Sequence, residues 1–295
     1  MIVTKLHEFA GHSDSIYTAA FNAETQQLYT AGGDGMVAIW NTVDRGDGAL
    51  LVRVGFAVYS MCLLYKKLLL GNRMGNLYII DTETKTEERN IEAHSQGVFD
   101  IVFDTEVGLV YSCGFDGVLQ VWDAKFNLVH SIKLSTKSLR CICLLPGKIA
   151  VAASDFTVYI LDKQTFEISA KLKSHTNSVF ALAYNPIEQE LLSGGRDCYI
   201  KIWDTKSWLL KREYIGAKLH INHISFNSDF SNYAVSSMDK TIKIFDAETH
   251  EPLKFIDKEK NNGHTSSVNK SLWLKQNSLI SISDDKKAIQ WSLKL

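Results

Sequence analysis

The chain has 295 residues, of which 45% are hydrophobic and 22% charged, and its formal net charge is -1. A balanced charge argues against nucleic-acid partners, and no apolar run is long enough to span a bilayer, so we expect no membrane partner. The odd number of cysteines, without zinc-type spacing, predicts free thiols in a reducing compartment, which favours the cytoplasm with the nucleus as the alternative. These residues are Cys62, Cys113, Cys141, Cys143 and Cys198.

In chain order, the first element is a strand with no hairpin partner of its own. Met1–Phe9 alternates Ile, Thr, Leu and Glu with Val, Lys, His and Phe, which has the period of a strand, so we also expect no signal peptide. Seven similar segments follow, and in each of them short runs rich in β-branched and aromatic residues lie between turn residues, which predicts several strands. Their bounds are 11–54, 57–93, 94–134, 137–173, 174–215, 217–257 and 263–295.

The fifth segment shows the pattern most clearly, within His175–Asp204. Its three apolar runs are Ser178–Tyr184, Glu190–Gly194 and Tyr199–Asp204, and they are separated by Asn-Pro and by Gly-Gly-Arg-Asp. These separators are turn formers, so the runs are predicted to be three successive strands. The chain then continues into a predicted outer strand, Trp208–Tyr214.

Four polar or aromatic residues recur at a fixed spacing in the first, third, fifth and seventh segments. A His is followed after 18 residues (17 in the seventh segment) by Ser or Thr, after 4 more by Asp, and after 6 more by Trp. Four residue types kept at such intervals indicate a structural repeat. The sets are His12, Thr30, Asp34, Trp40; His94, Ser112, Asp116, Trp122; His175, Ser193, Asp197, Trp203; and His264, Ser281, Asp285, Trp291.

With a His near the start of each unit and Trp-Asp near its end, the chain resembles the WD-repeat (WD40) β-propeller family along its whole length. The resemblance implies an all-β fold of four-stranded antiparallel blades. The residues at the Trp position are spaced by 40, 42, 39, 42, 42 and 46, which predicts seven blades. The longest spacing contains Asp257–Gly263, which is charged and aperiodic and is predicted to be a loop. The residues at the Trp position are Trp40, Ile80, Trp122, Leu161, Trp203, Phe245 and Trp291.

The seventh blade contains only three predicted strands, Ser267–Trp273, Ser278–Ile282 and Lys287–Ser292. The N-terminal strand, by contrast, has no blade. We therefore predict that Ile2–Glu8 pairs beside Ala288–Leu293 as the fourth strand of blade seven. This pairing would close the ring and remove an open sheet edge.

The resemblance implies that each His-Ser/Thr-Asp-Trp set is a structural hydrogen-bond chain within its blade, which satisfies buried polar groups. A catalytic triad would be needed once, whereas this set recurs four times, so we expect no catalytic residue among them. Blades two, four and six lack the complete set and should depend on apolar packing. His220 and His223 would point to opposite faces of a strand, and neither a metal site nor a cofactor site is predicted.

In WD-repeat proteins partners usually bind the narrower top face around the central channel. The site is formed by the third and fifth residues after the blade His and by the residue before the turn Asp. Transferred position by position, this pattern predicts a partner-binding ring rich in aromatic residues and Arg, types that are enriched at binding hot spots. The predicted members are Tyr17, Tyr59, Arg73, Phe99, Phe115, Arg140, Phe180, Arg196, His220, Asn222, Met238, Asn269 and Asp284. The same positions in other blades hold Ser15, Gly33, Ala57, Gly97, Ser138, Ser154, Ser178 and Ser267.

Two interpretations of this ring remain open at the level of sequence. The arginines would suit an acidic or phosphorylated peptide, or they pair internally with neighbouring carboxylates. The aromatic residues either form a binding surface or are buried between blades. The carboxylates that could pair with the arginines are Asp155, Asp197 and Asp284.

Because one fold hosts many functions, the activity has to follow from the site. We predict a non-catalytic scaffold that binds peptide segments or partner proteins on its top face within a multiprotein complex. One alternative is a propeller enzyme of hydrolase or lyase type, for which the mouth offers mainly Asp284 and His220. The other is a nucleic-acid-binding propeller that uses Arg and base stacking. The sequence makes no prediction of the oligomeric state.

Overall fold

The computed structural model describes residues 1–294, which form seven four-stranded antiparallel sheets. The predicted seven-bladed β-propeller is confirmed, with each sheet forming one blade. Apart from one helix of four residues, every regular secondary-structure element within residues 1–294 is a β-strand. Leu295, the last residue of the predicted seventh blade, lies outside the described residues.

Blades one to four each use four consecutive strands, and their order across each sheet is the order along the chain. Blades one and two contain β2 (Ile16–Asn22), β3 (Gln27–Gly32), β4 (Met36–Asn41), β5 (Ala49–Arg53), β6 (Val58–Leu64), β7 (Lys67–Asn72), β8 (Asn76–Asp81) and β9 (Glu87–Glu92). Blades three and four contain β10 (Val98–Asp104), β11 (Leu109–Gly114), β12 (Val118–Trp122), β13 (Leu128–Lys133), β14 (Leu139–Leu145), β15 (Lys148–Ala153), β16 (Val158–Asp162) and β17 (Ile168–Leu172).

The same order holds in blades five and six, whereas blade seven takes its outer strand from the N-terminus. Blades five and six contain β18 (Val179–Asn185), β19 (Glu190–Gly195), β20 (Tyr199–Asp204), β21 (Leu210–Ile215), β22 (Ile221–Phe226), β23 (Asn232–Ser237), β24 (Ile242–Asp246) and β25 (Pro252–Ile256). Blade seven contains β26 (Val268–Lys275), β27 (Ser278–Ser283), β28 (Lys287–Lys294) and β1 (Ile2–Ala10).

The first strand of each blade lies at the centre of the ring, where it contacts the first strands of both neighbouring blades. Since the strands of a blade are antiparallel, the turn between its second and third strands and the turn between its third and fourth strands lie at opposite ends. We call the end with the former turn the top face and the other end the bottom face. The predicted binding residues all lie on strands or turns at the top face.

The core is divided into seven clusters of buried side chains, one at each interface between adjacent blades. Tyr29 of blade one, for example, packs in one cluster with Leu68 of blade two, and both are at most 1% exposed. A blade therefore buries its two faces only against its neighbours, as in other repeat architectures. An open ring would leave two such faces in water.

The predicted closure by the N-terminal strand is confirmed. Strand β1 pairs antiparallel with β28, from Ile2 opposite Lys294 to Ala10 opposite Lys287. The pairing is longer than predicted, and it contains a bulge between Lys5 and His7, so the predicted two-residue alternation is interrupted there.

The structure corrects the predicted loop Asp257–Gly263, because part of it is a short helix, α1 (Lys258–Asn261). The Asp257 carboxylate caps this helix by accepting the N–H of Lys260 at 2.7 Å. Asn262 ends it in the left-handed conformation, with φ of 53°. A single turn is too short to show an apolar period, so only the capping residues Asp and Asn could have indicated it.

Candidate functional site

In blade five the His-Ser-Asp-Trp set forms a continuous hydrogen-bond chain. Trp203 Nε1 donates to Ser193 Oγ at 2.8 Å, and Ser193 Oγ lies 2.7 Å from His175 Nε2. The Asp197 carboxylate can only accept, so His175 Nδ1 carries a proton and donates to it at 2.8 Å. A neutral imidazole with this proton accepts the Ser193 hydroxyl at Nε2. The N–H of Thr176 also donates to the Asp197 carboxylate.

The chain recurs in blades one, three and seven, with separations between successive side chains of 2.8–3.1 Å. The Ser or Thr residues of the four chains are all fully buried. A hydroxyl that is buried and already accepts from an indole N–H cannot reach a substrate, so the grouping resembles a catalytic triad in residue types only. These residues are Thr30, Ser112, Ser193 and Ser281.

The carboxylate in each chain is held ionised by its partners. Burial alone would raise the pKa of Asp197, but hydrogen bonds from His175 and from the N–H groups of Thr176 and Tyr199 hold it below the ordinary 3.8. The pKa values of the three equivalent carboxyls are lowered in the same way. These carboxyls belong to Asp34, Asp116 and Asp285.

We expect Asp197→Asn to destabilise the protein at pH 7 by roughly 1.5–3 kcal/mol, the usual contribution of a hydrogen bond to a charged group. A carboxyl whose pKa is lowered by folding stabilises the native state above its unfolded pKa. That stability is lost as the pH falls through the folded pKa, so the difference from wild type should shrink below about pH 4. Urea unfolding at pH 7 and pH 3 measures both values, with the exposed Asp47→Asn as the control. The same difference at both pH values would contradict this account.

Blades four and six keep the turn Asp but lack the His of the repeating set, so the carboxylate has other hydrogen-bond partners. In blade four Asp155 accepts from Ser135 Oγ at 2.6 Å and from the Tyr159 hydroxyl at 2.7 Å. In blade six Asp239 accepts the N–H of Lys218 at 2.9 Å. The expectation that these blades depend on apolar packing is therefore incomplete. Ser135 stands at the position of the blade His, three residues before Ser138, which was the available signal.

The mouth of the central channel is ringed by one residue from each blade. All seven are half-buried, and together they line a depression of about 270 Å³ at the top face. Each is the fifth residue after the blade His or its equivalent, and each was predicted. We call this set the mouth ring, and its members are Tyr17, Tyr59, Phe99, Arg140, Phe180, Asn222 and Asn269.

A β-bulge places every member of the mouth ring. In each blade the register between the first and second strands shifts across this single residue, for example between Ile16 and Thr18, which flank Tyr17. The same shift occurs in the other six blades. A bulged residue lies outside the regular pairing and its side chain is re-aimed, here towards the channel mouth. These bulges were not predicted from the sequence.

Aromatic and cationic contacts connect five of these side chains. The rings of Tyr17 and Tyr59 lie 5.6 Å apart, and Tyr59 stacks on Phe99 at 5.6 Å. The guanidinium of Arg140 lies 4.4 Å from the centre of the Phe99 ring and 5.2 Å from that of Phe180. Such contacts hold the rings in place, so the side chains on this side of the mouth are fixed by one another.

Asn222 and Asn269 complete the mouth ring through hydrogen bonds to neighbouring blades. Asn222 Nδ2 donates to the carbonyl of Val268 at 2.9 Å, and Asn269 Nδ2 donates to the carbonyl of Ile16 at 2.8 Å. Asn269 Nδ2 also donates to Asp284 at 2.7 Å. These two amides therefore join blades six, seven and one, and Asn269 supplies the hydrogen-bond partner of the predicted Asp284.

The remaining predicted residues lie further out. Phe115 and Met238 are 51% and 44% exposed, and Arg73 and Arg196 are exposed on neighbouring turns. His220 is half-buried, and the centre of its ring lies 6.1 Å from that of Phe180 in the mouth ring. The fifth-position residues thus form the mouth, and these turn residues lie around it, with the Phe115 ring 6.4 Å from that of Phe99.

Met74 and Phe156 are among the exposed apolar residues of the top face that were not predicted. Met74, at the turn-Asp position of blade two, is 52% exposed and lines a groove of about 460 Å³ with Tyr59 and Phe115. Phe156, which follows the turn Asp of blade four, is 42% exposed and has a φ of 72°. A left-handed backbone is unfavourable for an aromatic residue. An apolar residue where a polar turn is expected was the available signal in both cases.

The three top-face arginines form none of the ion pairs within residues 1–294. Arg140 donates through Nε to Ser154 Oγ at 2.9 Å, and burial lowers the pKa of its guanidinium below the ordinary value. The carboxylates considered as their partners are bonded elsewhere, Asp155 to Ser135, Asp197 to His175 and Asp284 to Asn269. Internal pairing is therefore not what the arginines do.

Comparison with known families supports this architecture. The family model described as WD domain, G-beta repeat, matches residues 3–41, 85–123, 166–204 and 209–246, which is more than half of the chain. The chain belongs to the WD40 family. Three of the four matched stretches end at Trp-Asp or Trp-Asn, and the fourth ends at Phe-Asp.

Individual relatives of this WD40 chain are distant. It is 26% identical to the periodic tryptophan protein 2 homolog of Dictyostelium discoideum, over 84% of this chain and 23% of that protein. It is 22% identical to the 66 kDa stress protein of Physarum polycephalum, over 99% and 48% respectively. The ribosome biogenesis protein YTM1 of Meyerozyma guilliermondii is 24% identical, over 67% of this chain and 44% of that protein. The chain thus spans about a quarter to a half of the length of these relatives.

No group of three or more metal-binding side chains occurs among residues 1–294 of this WD40 propeller. His220 lies at the mouth beside Phe180, whereas His223 faces the channel below it. The bulged residue Asn222 stands between them, so the pair does not share a site. In the same range no helix is both long and apolar enough to cross a membrane.

Proposed function

We propose that this WD40 chain is a non-catalytic interaction platform that binds a segment of a partner protein on its top face, as a subunit of a larger assembly. The observation that carries the proposal is the mouth ring, in which one bulged side chain from each of seven blades converges on one depression. Rigid aromatic residues around a concave centre are the usual anchors of protein interfaces. The exposed Met74 and Phe115 extend the apolar surface outwards.

The partner segment is proposed to be acidic or phosphorylated. Arg73, Arg140 and Arg196 have no carboxylate partner among the described residues, and an unpaired Arg offers two parallel N–H donors to a carboxylate or phosphate. Arg140 is also half-buried, where an ion pair is less screened by water and salt. Complementary charges of this kind determine the choice of partner and the association rate more than they determine the affinity.

Assembly with proteins rather than catalysis fits the other observations. The Ser-His-Asp groupings are closed structural chains, and a net charge of -1 does not favour a large nucleic-acid footprint. One relative is named for ribosome biogenesis, and we propose that this chain likewise works within a multiprotein complex. Its five free cysteines favour a reducing compartment, the cytoplasm or the nucleus.

A paired affinity purification tests the platform. Arg73→Glu with Arg196→Glu reverses two exposed top-face charges, and Arg45→Glu with Lys206→Glu reverses two exposed charges on bottom-face turns as the control. Arg140 is left unchanged because it is packed between two rings. We expect the top-face variant to recover the partner about tenfold less than wild type, since charge-assisted contacts are lost. Both variants should keep the wild-type melting temperature.

Equal loss of the partner from both variants would contradict the top-face assignment. Recovery of the same partners in the same amounts by all three baits would place the site elsewhere on the propeller. A partner recovered only through nucleic acid, and lost on nuclease treatment, would also overturn the proposal.

A further inference from the structure

The channel directly below the mouth ring contains charged and polar side chains that the proposed surface contact does not use. A cavity of about 260 Å³ extends there from the mouth, lined by Asp100, Arg140, His223 and Lys270 among others. Charged groups inside a narrow cavity are costly unless they are paired, so their partners need to be accounted for one by one.

The two cations have donors to spare. Arg140 uses only Nε in a hydrogen bond within residues 1–294, to Ser154, and its two terminal amino groups have no partner there. Lys270 takes part in none of the ion pairs of the described residues. Both side chains line the same cavity.

His223 lines the cavity and has an unused ring nitrogen. Its Nδ1 is buried and has no hydrogen-bond partner among residues 1–294. Burial, with a smaller effect from Lys270, lowers the pKa of His223 to about 3, so the ring is neutral at pH 7. A neutral imidazole has one N–H, which Nδ1 can carry to donate to an acceptor.

The single acid in this group, Asp100, already accepts hydrogen bonds from the backbone. Burial raises the pKa of Asp100, while Lys270 and backbone donors act in the opposite direction. Its two carboxylate oxygens accept the N–H of Ile101 at 3.0 Å and of Ile142 at 2.8 Å, which joins blades three and four. With two cations and a single acid in the group, at least one positive charge has no counter-charge.

We infer that the channel accepts one carboxylate side chain, a glutamate of the partner segment, which enters through the mouth ring and is bound by Arg140, Lys270 and His223. The inference rests on the proposed function and names the anchor residue of the partner. A carboxylate supplies the counter-charge that these cations lack, and a short aliphatic stem suits the aromatic mouth. An arginine side chain would add to the positive charge.

The test uses isolated amino-acid derivatives, so it does not depend on knowing the partner. The His223 ring resonance of histidine-labelled protein is followed by NMR during titration with N-acetyl-glutamate N-methylamide, and it is assigned with His223→Gln. The neutral isostere N-acetyl-glutamine N-methylamide and inorganic phosphate are titrated in parallel. We expect the glutamate derivative to shift the resonance with a millimolar Kd and the glutamine derivative to bind at least about tenfold more weakly.

Lys270→Met is the decisive variant, with the exposed top-face Lys240→Met as the matched control. Met keeps most of the apolar stem of Lys270 and removes its ammonium group, and the melting temperature of Lys270→Met is measured beside that of wild type to verify that the variant folds. It should abolish the glutamate response, and Lys240→Met should keep it. A response retained by Lys270→Met, equal binding of the glutamine derivative, or stronger binding of phosphate would each overturn the inference.

The outcome separates this inference from the proposed function. A partner lost from the top-face charge variant together with no response to the glutamate derivative would reject the channel site and leave the platform standing. A clear glutamate response without any top-face-dependent partner would uphold the channel site as a binding site and reject the platform.

Discussion

Deleting residues 2–10 should open the ring and lower the melting temperature by more than about 10 °C, or prevent folding altogether. Strand β1 forms the entire outer edge of blade seven, paired with β28 from Ile2 to Ala10. Its Phe9 is 1% exposed and packs with Trp40 of blade one. Loss of one buried Phe alone costs about 3–5 kcal/mol, and the deletion also exposes the edge of β28, against a typical total stability of about 5–15 kcal/mol.

Thermal unfolding and size-exclusion chromatography of the deletion variant provide the measurement. Ile2→Ser is the control on the same strand, because Ile2 is 68% exposed and its replacement should change stability by about 0.5 kcal/mol or less. A synthetic peptide of residues 1–11 should restore part of the lost stability in a concentration-dependent way, since it binds only the folded ring. A deletion variant with the wild-type melting temperature would show that β1 does not close the ring.

The blade count and the closure were predictable because they depend on a buried position that recurs along the chain. Where Trp is replaced, the position still holds a large apolar residue, as in Ile80, Leu161 and Phe245, and each is at most 3% exposed. The interface between blades needs volume at this point whether or not a hydrogen-bond chain is present. Spacing between such residues therefore gives the number of blades without any knowledge of the turns.

The contacts of the mouth ring were not predictable in the same way. Tyr59 and Phe99, or Arg140 and Phe180, lie about 40 residues apart, and they meet only because neighbouring blades place their bulges side by side. A bulge is a feature of the register between two strands, and the residues that occupy it range from Tyr to Asn. The position of each residue in the repeat was therefore predictable from the sequence, whereas the insertion of Arg140 between two aromatic rings was not.

The polar chains of the even blades illustrate a second limit. Ser135 and Tyr159 bond the turn carboxylate of Asp155 directly, but they do not belong to the pattern of His, Ser, Asp and Trp at fixed intervals. The physical requirement is that a buried carboxylate has donors, and several residue types meet it. A pattern based on residue identity finds only one of these solutions.

Ser193→Ala should lower the free energy of unfolding by about 2–4 kcal/mol, although it removes a single oxygen atom. The Ser193 hydroxyl is fully buried, accepts from Trp203 Nε1 and bonds His175 Nε2. Its removal leaves a buried donor and a buried acceptor without partners, and each unsatisfied group costs about 1–3 kcal/mol. Chemical denaturation at pH 7 measures the change.

Ser236→Ala in blade six is the matched control. Ser236 is also fully buried on a second strand, but its hydroxyl has no hydrogen-bond partner within residues 1–294. Removing an unpaired buried hydroxyl leaves no neighbour unsatisfied, so this variant should be as stable as wild type or slightly more stable. The two variants make the same chemical change at equal burial, and they differ only in the partners that are lost.

A double-mutant cycle with Trp203→Phe isolates the bond between the two side chains. Without the indole N–H, the Ser193 hydroxyl has one partner fewer, so Ser193→Ala should cost about 1 kcal/mol less in the Phe background than in wild type. Additive effects would mean that the bond contributes nothing and that Trp203 acts through packing alone. Equal costs for Ser193→Ala and Ser236→Ala would go further, because then the recurring hydrogen-bond chain would not stabilise the blade at all.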